Sequence, residues 1–97
     1  MLVKIHKSYR DVVAICDSEL LGKKFEEGRM QIDVNSFYSG EEIEEEKAID
    51  ILLDKAKEDA CFNLVGKQAC NAGIKAGIID KQGIKTIQKI PVALSLF

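Results

Sequence analysis

The side chains best equipped for chemistry are three cysteines, Cys16, Cys61 and Cys70, and a single histidine, His6. A nucleophilic site needs a thiol or hydroxyl with a base in hydrogen-bond reach. Cys16 and His6 lie on two segments expected to pair as a hairpin, so a dyad between them is conceivable. Against it, Cys16 lies at the far end of its strand, and His6 alternates away from the apolar Val3 and Ile5 toward solvent. Structural zinc is disfavoured by spacing. No C-x-x-C or H-x-x-x-H pair occurs. Cys61 and Cys70, about two and a half turns apart on the helix expected there, face opposite ways. An odd number of scattered cysteines fits reduced, buried thiols in a reducing compartment. Phosphate binding would need a glycine turn between strand and helix. Gly22-Lys23-Lys24 follows a helical turn and leads into a strand, and Gly66-Lys67 falls inside the expected second helix. Glu41, Glu42, Glu44, Glu45 and Glu46 crowd a helix start. Successive helical side chains diverge rather than converge on a cation, and carboxylates there favour the positive end of the helix dipole. The sequence therefore assigns no catalytic residue, no metal site and no cofactor.

Residues suited to binding are easier to find. Phe37 and Tyr38 are adjacent aromatics in the polar run Asn35-Ser36-Phe37-Tyr38-Ser39-Gly40. Such a pair can anchor a protein partner or stack on a base. Phe37, the less polar ring, is expected to turn into the core, leaving Tyr38 exposed as the anchor. Asn63, an amide among apolar neighbours, is a second candidate, set against the plainer role of satisfying backbone groups. Lys4, Lys7, Arg10, Lys23 and Lys24 make a possible basic patch in the N-terminal third, and Lys81, Lys85 and Lys89 recur near the C-terminus. If the last hairpin lies beside the first strands, these residues form one basic face opposite the acidic helix. That layout suits a ribosomal or RNA-associated accessory role, and equally a plain solvated surface.

The elements that must position these residues follow from periodicity. Val3 and Ile5 alternate with Lys4 and His6, and residues 12–16 form a β-branched apolar run; the two read as a hairpin. A short helical turn at residues 19–21 ends at Gly22, and Met30, Ile32 and Val34 alternate as a third strand. Helix one starts near Glu41 or Glu42 and buries Ala48, Ile49, Leu52, Leu53 and Ala56. A single helix onward to Gly77 would be too long for a small domain, which places a break near Asp59 as the N-cap of helix two. That helix buries Phe62, Val65, Ala69 and Ala76, with Gly66 allowing close packing. Residues 84–88 and 92–96 read as two closing strands, with Pro91 at the start of the last. The order β-β-β-α-α-β-β describes an α+β fold, a mostly antiparallel sheet with two helices packed on one face.

Ninety-seven residues at 46% hydrophobic and 31% charged form a single globular domain over residues 1–97. A net charge of −2 supplies no global field toward nucleic acid or an anionic membrane. No apolar run is long enough to span a bilayer, and no signal-peptide core is present, so the expected location is the cytoplasm, away from membranes.

Four motifs, Leu20-Leu21-Gly22-Lys23, Phe37-Tyr38-Ser39-Gly40, Asn63-Leu64-Val65-Gly66 and Gly77-Ile78-Ile79-Asp80, occur in order along nearly the whole chain. In this the chain resembles a small archaeal family known only as a domain of unknown function, family 424. The resemblance implies an archaeal cytoplasmic protein with an α/β fold, and no activity. Members of that family tend to carry a histidine after the proline near the C-terminus; here Pro91 is followed by Val92. The reading that results is a non-enzymatic binding or accessory module for a protein or RNA partner, possible association with RNA or translation included. The alternative is a small enzyme or ligand-binding domain.

Overall fold

The computed structural model describes residues 1–95. The chain opens with the expected hairpin, β1 (Leu2–His6) and β2 (Val12–Cys16), in antiparallel register with Val3 opposite Ile15 and Ile5 opposite Val13. A 3-10 turn at Ser18–Leu20 leads to β3 (Lys24–Glu27) and β4 (Met30–Asp33), which among the described residues pair only with each other. The expected third strand is therefore present, but it belongs to a separate two-stranded sheet. After a second 3-10 turn, Ser36–Tyr38, the two-residue β5 (Glu41–Glu42) pairs with β1. Helix α1 (Glu45–Ala56), strand β6 (Cys61–Val65) and helix α2 (Lys67–Lys75) follow, and β7 (Lys85–Ile87) and β8 (Ile90–Ser95) close the chain as a hairpin.

The main sheet runs β5-β1-β2-β6-β8-β7, antiparallel except for the parallel central pair β2–β6. Both helices lie on one face, as an α+β fold requires. Ala48 and Leu52 of α1 and Ala69 and Ala72 of α2 pack on Val3, Val13, Ile15, Phe62, Leu64 and Ala93 of the strands. Fully burying a side chain such as Leu52 or Leu64 contributes about 1.5–3 kcal/mol. The other face is covered by different elements: Leu20, Val34 and Tyr38, with Phe25 and Ile32 of the small sheet, close over Ala14, Cys16, Val65, Ile87 and Val92.

Three segments depart from the expected order: β3 is an added strand, Glu41–Glu42 form β5 where helix one was expected to start, and the third lies between the helices. Residues 61–65 are a strand between the two helices, not the first turns of helix two. Phe62 and Leu64 face the helices while Val65 faces the opposite core, a period of two that the helical reading overlooked. Between β2 and β8 this segment hydrogen-bonds on both edges, which outweighs any local helical preference. Asp59 is accordingly no N-cap. It ends the turn after α1 in a left-handed conformation, φ +57°, and the Ala60 N–H donates to the Lys55 carbonyl.

Gly66 joins β6 to α2 with φ +110°, a conformation that glycine alone adopts without strain. It also makes room for Asp17, since a Cβ at Gly66 would sit 2.3 Å from the Asp17 carboxylate carbon. That carboxylate, 4% exposed, accepts hydrogen bonds from the Gln68 N–H (3.1 Å) and the Ala69 N–H (2.9 Å) and so caps α2.

Candidate functional site

The sheet face turned away from the helices carries three rows of side chains. Leu2, Cys16, Val65 and Val92 align in one row, and Lys4, Ala14, Asn63 and Leu94 in the next. His6, Val12 and Cys61 form the third. The first row lies beneath the small sheet and the 3-10 turns. The other two are only half covered, apart from Ala14, which is fully buried: His6, Val12, Cys61 and Asn63 are half-buried, Lys4 is exposed, and Leu94 keeps 54% of its surface. This half-open face contains three of the sequence candidates, Asn63, Phe37 and Lys4.

Phe37 is set by its turn. The Asn35 side chain accepts a hydrogen bond from the Phe37 N–H at 2.9 Å and caps the 3-10 turn. The Phe37 ring, half-buried, stacks on the His6 ring with centroids 4.1 Å apart and planes 15° from parallel. His6 Nε2 lies 2.8 Å from the Phe37 carbonyl oxygen. That oxygen can only accept, so Nε2 carries the proton and the histidine is held in one orientation. Tyr38 reverses the expectation. It is the buried ring, 3% exposed, edge-on to Phe37 at 5.3 Å, and burial pushes its hydroxyl up to about 12. The exposed-anchor role foreseen for Tyr38 is thus ruled out by packing. The direction of the 3-10 turn, not ring polarity, decides which side chain enters the core.

Asn63 sits on β6 rather than on a helix, between Ala14 and Leu94 in the row. Among the described residues its side-chain amide has no hydrogen-bond partner. Both its donor and its acceptor are therefore available to a ligand. Lys4, two strands away in the same row, has no carboxylate partner among the described residues.

The basic residues do not gather. Lys7 and Arg10 lie in the β1–β2 turn at one end of the sheet, where Lys7 (3.2 Å) and Lys55 (3.0 Å) both pair with Asp11. Lys23 and Lys24 follow the turn at the opposite end of β2, with Lys24 3.6 Å from Glu26. The β7–β8 hairpin is separated from β1 by β2 and β6, so the single basic face that would need it beside the first strands does not form.

The residues weighed for nucleophilic chemistry are placed apart. His6 pairs across the hairpin with Val12, whereas Cys16 pairs with Leu2 at the other end. Cys16 is fully buried, and burial, reinforced by the Asp17 charge, pushes its thiol up to about 11. Burial does the same to Cys70, up to about 12. Among the described residues no three histidine, cysteine or carboxylate side chains converge as a metal site.

Two features went unseen in the sequence. The strand–glycine–helix order of a phosphate site does exist at Val65-Gly66-Lys67, but the Asp17 carboxylate already occupies the helix N–H groups that an anion would use. A signal was present in the Asp at the end of an apolar strand, which is legible only once β2 and β6 are known to be neighbours. The second feature is an open cleft of about 690 Å³ between the starts of the two helices, lined by Glu44, Glu45, Lys67, Gln68 and Asn71. Glu45 there pairs with Lys75 at 2.6 Å.

Comparison with known proteins adds lineage. No curated protein matches the chain. The crystal structure of an uncharacterized conserved protein from Methanopyrus kandleri is similar, with a TM-score of 0.85 and 25% identity, over 96% of this chain and 87% of that one. A sequence profile of the family described as "Protein of unknown function (DUF424)" matches residues 6–96. With nearly its whole length matched, the chain belongs to the DUF424 family.

Proposed function

We propose that this protein is a non-enzymatic binding module that holds a protein or RNA partner against the half-open sheet face around His6, Phe37 and Asn63. The observation that carries the reading is the Asn63 amide, half-buried yet without a hydrogen-bond partner among the described residues, beside an aromatic stack fixed by its own backbone. The amide atoms are open to solvent rather than sealed in the core, so a partner can reach both the donor and the acceptor. Accessory work in the cytoplasm alongside RNA or the translation machinery is compatible with such a face. The test is affinity capture from an archaeal extract with wild-type protein, Phe37→Ala and Asn63→Ala. Each variant should lose about 1 kcal/mol or more of partner affinity while remaining folded. Capture unchanged in both would move the working surface elsewhere.

A second reading, a small-ligand site, has its own support. The 690 Å³ cleft adjoins the carboxyl ends of the parallel strands β2 and β6, where α/β sheets commonly bind ligands. It brings together Lys67, Gln68 and Asn71 from α2 with Glu44 and Glu45. A metabolite screen by thermal shift, repeated on Lys67→Ala, separates the two: a hit lost in that variant would favour the cleft.

A further inference from the structure

We infer that the half-open face binds single-stranded RNA, stacking an unpaired base on the Phe37–His6 pair, with Asn63 meeting the base edge and Lys4 the phosphate backbone. This rests on the reading of that face as the working surface, and it names the partner class.

Three observations converge. The first is the stack itself. A base gains by stacking on an aromatic ring whatever its identity, and a platform pays least for binding when it is already rigid. Here His6 is fixed on β1 and tied to the Phe37 carbonyl at 2.8 Å, while Asn35 holds the Phe37 N–H at 2.9 Å. Both rings remain half-buried, so the parallel pair retains an accessible surface.

The second is hydrogen-bonding capacity. An amide presents a donor and an acceptor together, which is what base edges and a 2′-hydroxyl require. The Asn63 amide is unpaired among the described residues, and it lies on the same face as His6, one row along and two strands across, roughly 10 Å away at the spacing of strands in a sheet.

The third is charge. The net charge of −2 does not describe this face. Among the described residues its two open rows contain Lys4 and His6 and no carboxylate, and Glu42, opposite Leu2 in the covered row, is paired with the N-terminal ammonium. The acidic residues of α1 (Glu45, Glu46, Asp50 and Asp54) lie on the helix layer behind the sheet. A lysine without a carboxylate partner beside an aromatic platform complements a phosphate backbone better than it does an apolar protein surface. RNA is favoured over DNA because folded RNA presents single unstacked bases in loops and bulges, and the site has one stack to offer.

Fluorescence anisotropy with a labelled mixed-sequence RNA of about twelve nucleotides tests this, within the span that single-strand sites cover. The same sequence as single-stranded DNA and as duplex RNA serves for comparison, each over a salt series. Single-stranded RNA should bind most tightly, and Lys4→Gln should flatten the salt dependence. Phe37→Ala should weaken binding at least fivefold, with Phe37→Tyr restoring it. Asn63→Asp, which keeps the shape but adds a charge, should weaken it similarly and keeps the test decisive if Phe37→Ala fails to fold. No RNA binding, binding indifferent to Phe37 and Asn63, or equal binding of DNA would overturn the inference. If partner capture still depends on Phe37 and Asn63 when RNA binding fails, the face is the working surface and its partner is a protein. If capture is also indifferent, both readings fall.

Discussion

Phe37 and Tyr38 are neighbours with opposite fates because a 3-10 turn rotates successive side chains by about 120°. Tyr38 drops onto the core of Cys16 and Val34, and Phe37 swings across to His6. Tyr38→Ala should therefore cost about 3–5 kcal/mol, the range for emptying a buried aromatic site. Phe37→Ala should cost distinctly less, which paired denaturant titrations would show. A small loss at Tyr38 would mean that the turn does not pack as described. The thiols sort by the same logic of burial. Only Cys61 is partly exposed, so a thiol-modifying reagent should label one cysteine in the folded protein and three after unfolding. The buried thiols also set an alkaline limit. Because folding raises them from 9.0 to about 11 (Cys16) and about 12 (Cys70), their stabilisation is complete below about pH 9 and is lost as pH rises through 11 to 12. A melting temperature that stays flat from pH 8 to 12 would contradict this.

Among the elements, the β6–α2 junction depends on two residues distant in sequence. Gly66 must lack a side chain so that the Asp17 carboxylate can reach the first turn of α2. Gly66→Ala should destabilise by roughly 1–3 kcal/mol, from backbone strain and displacement of the carboxylate. Asp17→Ala leaves two N–H groups uncapped and should cost about 0.5–2 kcal/mol. In the double variant the clash is gone and the cap already lost, so the two costs should be less than additive, with a coupling of at least about 0.5 kcal/mol in a double-mutant cycle. Strict additivity would show that the two residues do not act together. The turn after α1 allows a simpler test. Asp59 holds φ +57°, so Asp59→Gly should be neutral or stabilising by up to about 1 kcal/mol, whereas Asp59→Val should destabilise. An N-cap at Asp59 would instead make the glycine variant weaker.

At the scale of the whole molecule, Asp11 ties the two layers together. It sits in the β1–β2 turn, and its carboxylate receives Lys55 of α1 at 3.0 Å and Lys7 at 3.2 Å. The Lys55 hydrogen bond, followed by that of Lys7, holds the Asp11 carboxyl below its usual value of 3.8. A lowered folded-state pKa stabilises the fold above the unfolded value, and that contribution disappears as pH falls through the folded one. Wild-type protein should therefore lose stability below about pH 4 more steeply than Asp11→Asn, measured by urea unfolding across pH 7 to 2. Parallel slopes would mean that the pair makes no net contribution.

Local patterning alone was enough to determine the first hairpin, the body of helix α1 and the closing hairpin, because each advertises its period within a few residues; it missed that Glu41 and Glu42 pair with β1, so that the helix starts at Glu45, and that Leu53 faces solvent. The α+β class and the placement of both helices on one face follow from those same amphipathic patterns. It was also enough to single out Asn63 and the Phe37-Tyr38 turn as unusual. What it could not supply was anything set by partners far along the chain. Residues 61–65 become a strand only because β2 and β8 flank them, and five residues of apolar pattern are too short to choose between helix and strand by themselves. The same pairing brings Asp17 to Gly66, turns Asn63 onto the open face and aligns it with Lys4. The exchange of roles between Phe37 and Tyr38 likewise came from the tertiary structure, since the direction a turn leaves a sheet is fixed by what it packs against, not by the polarity of its side chains.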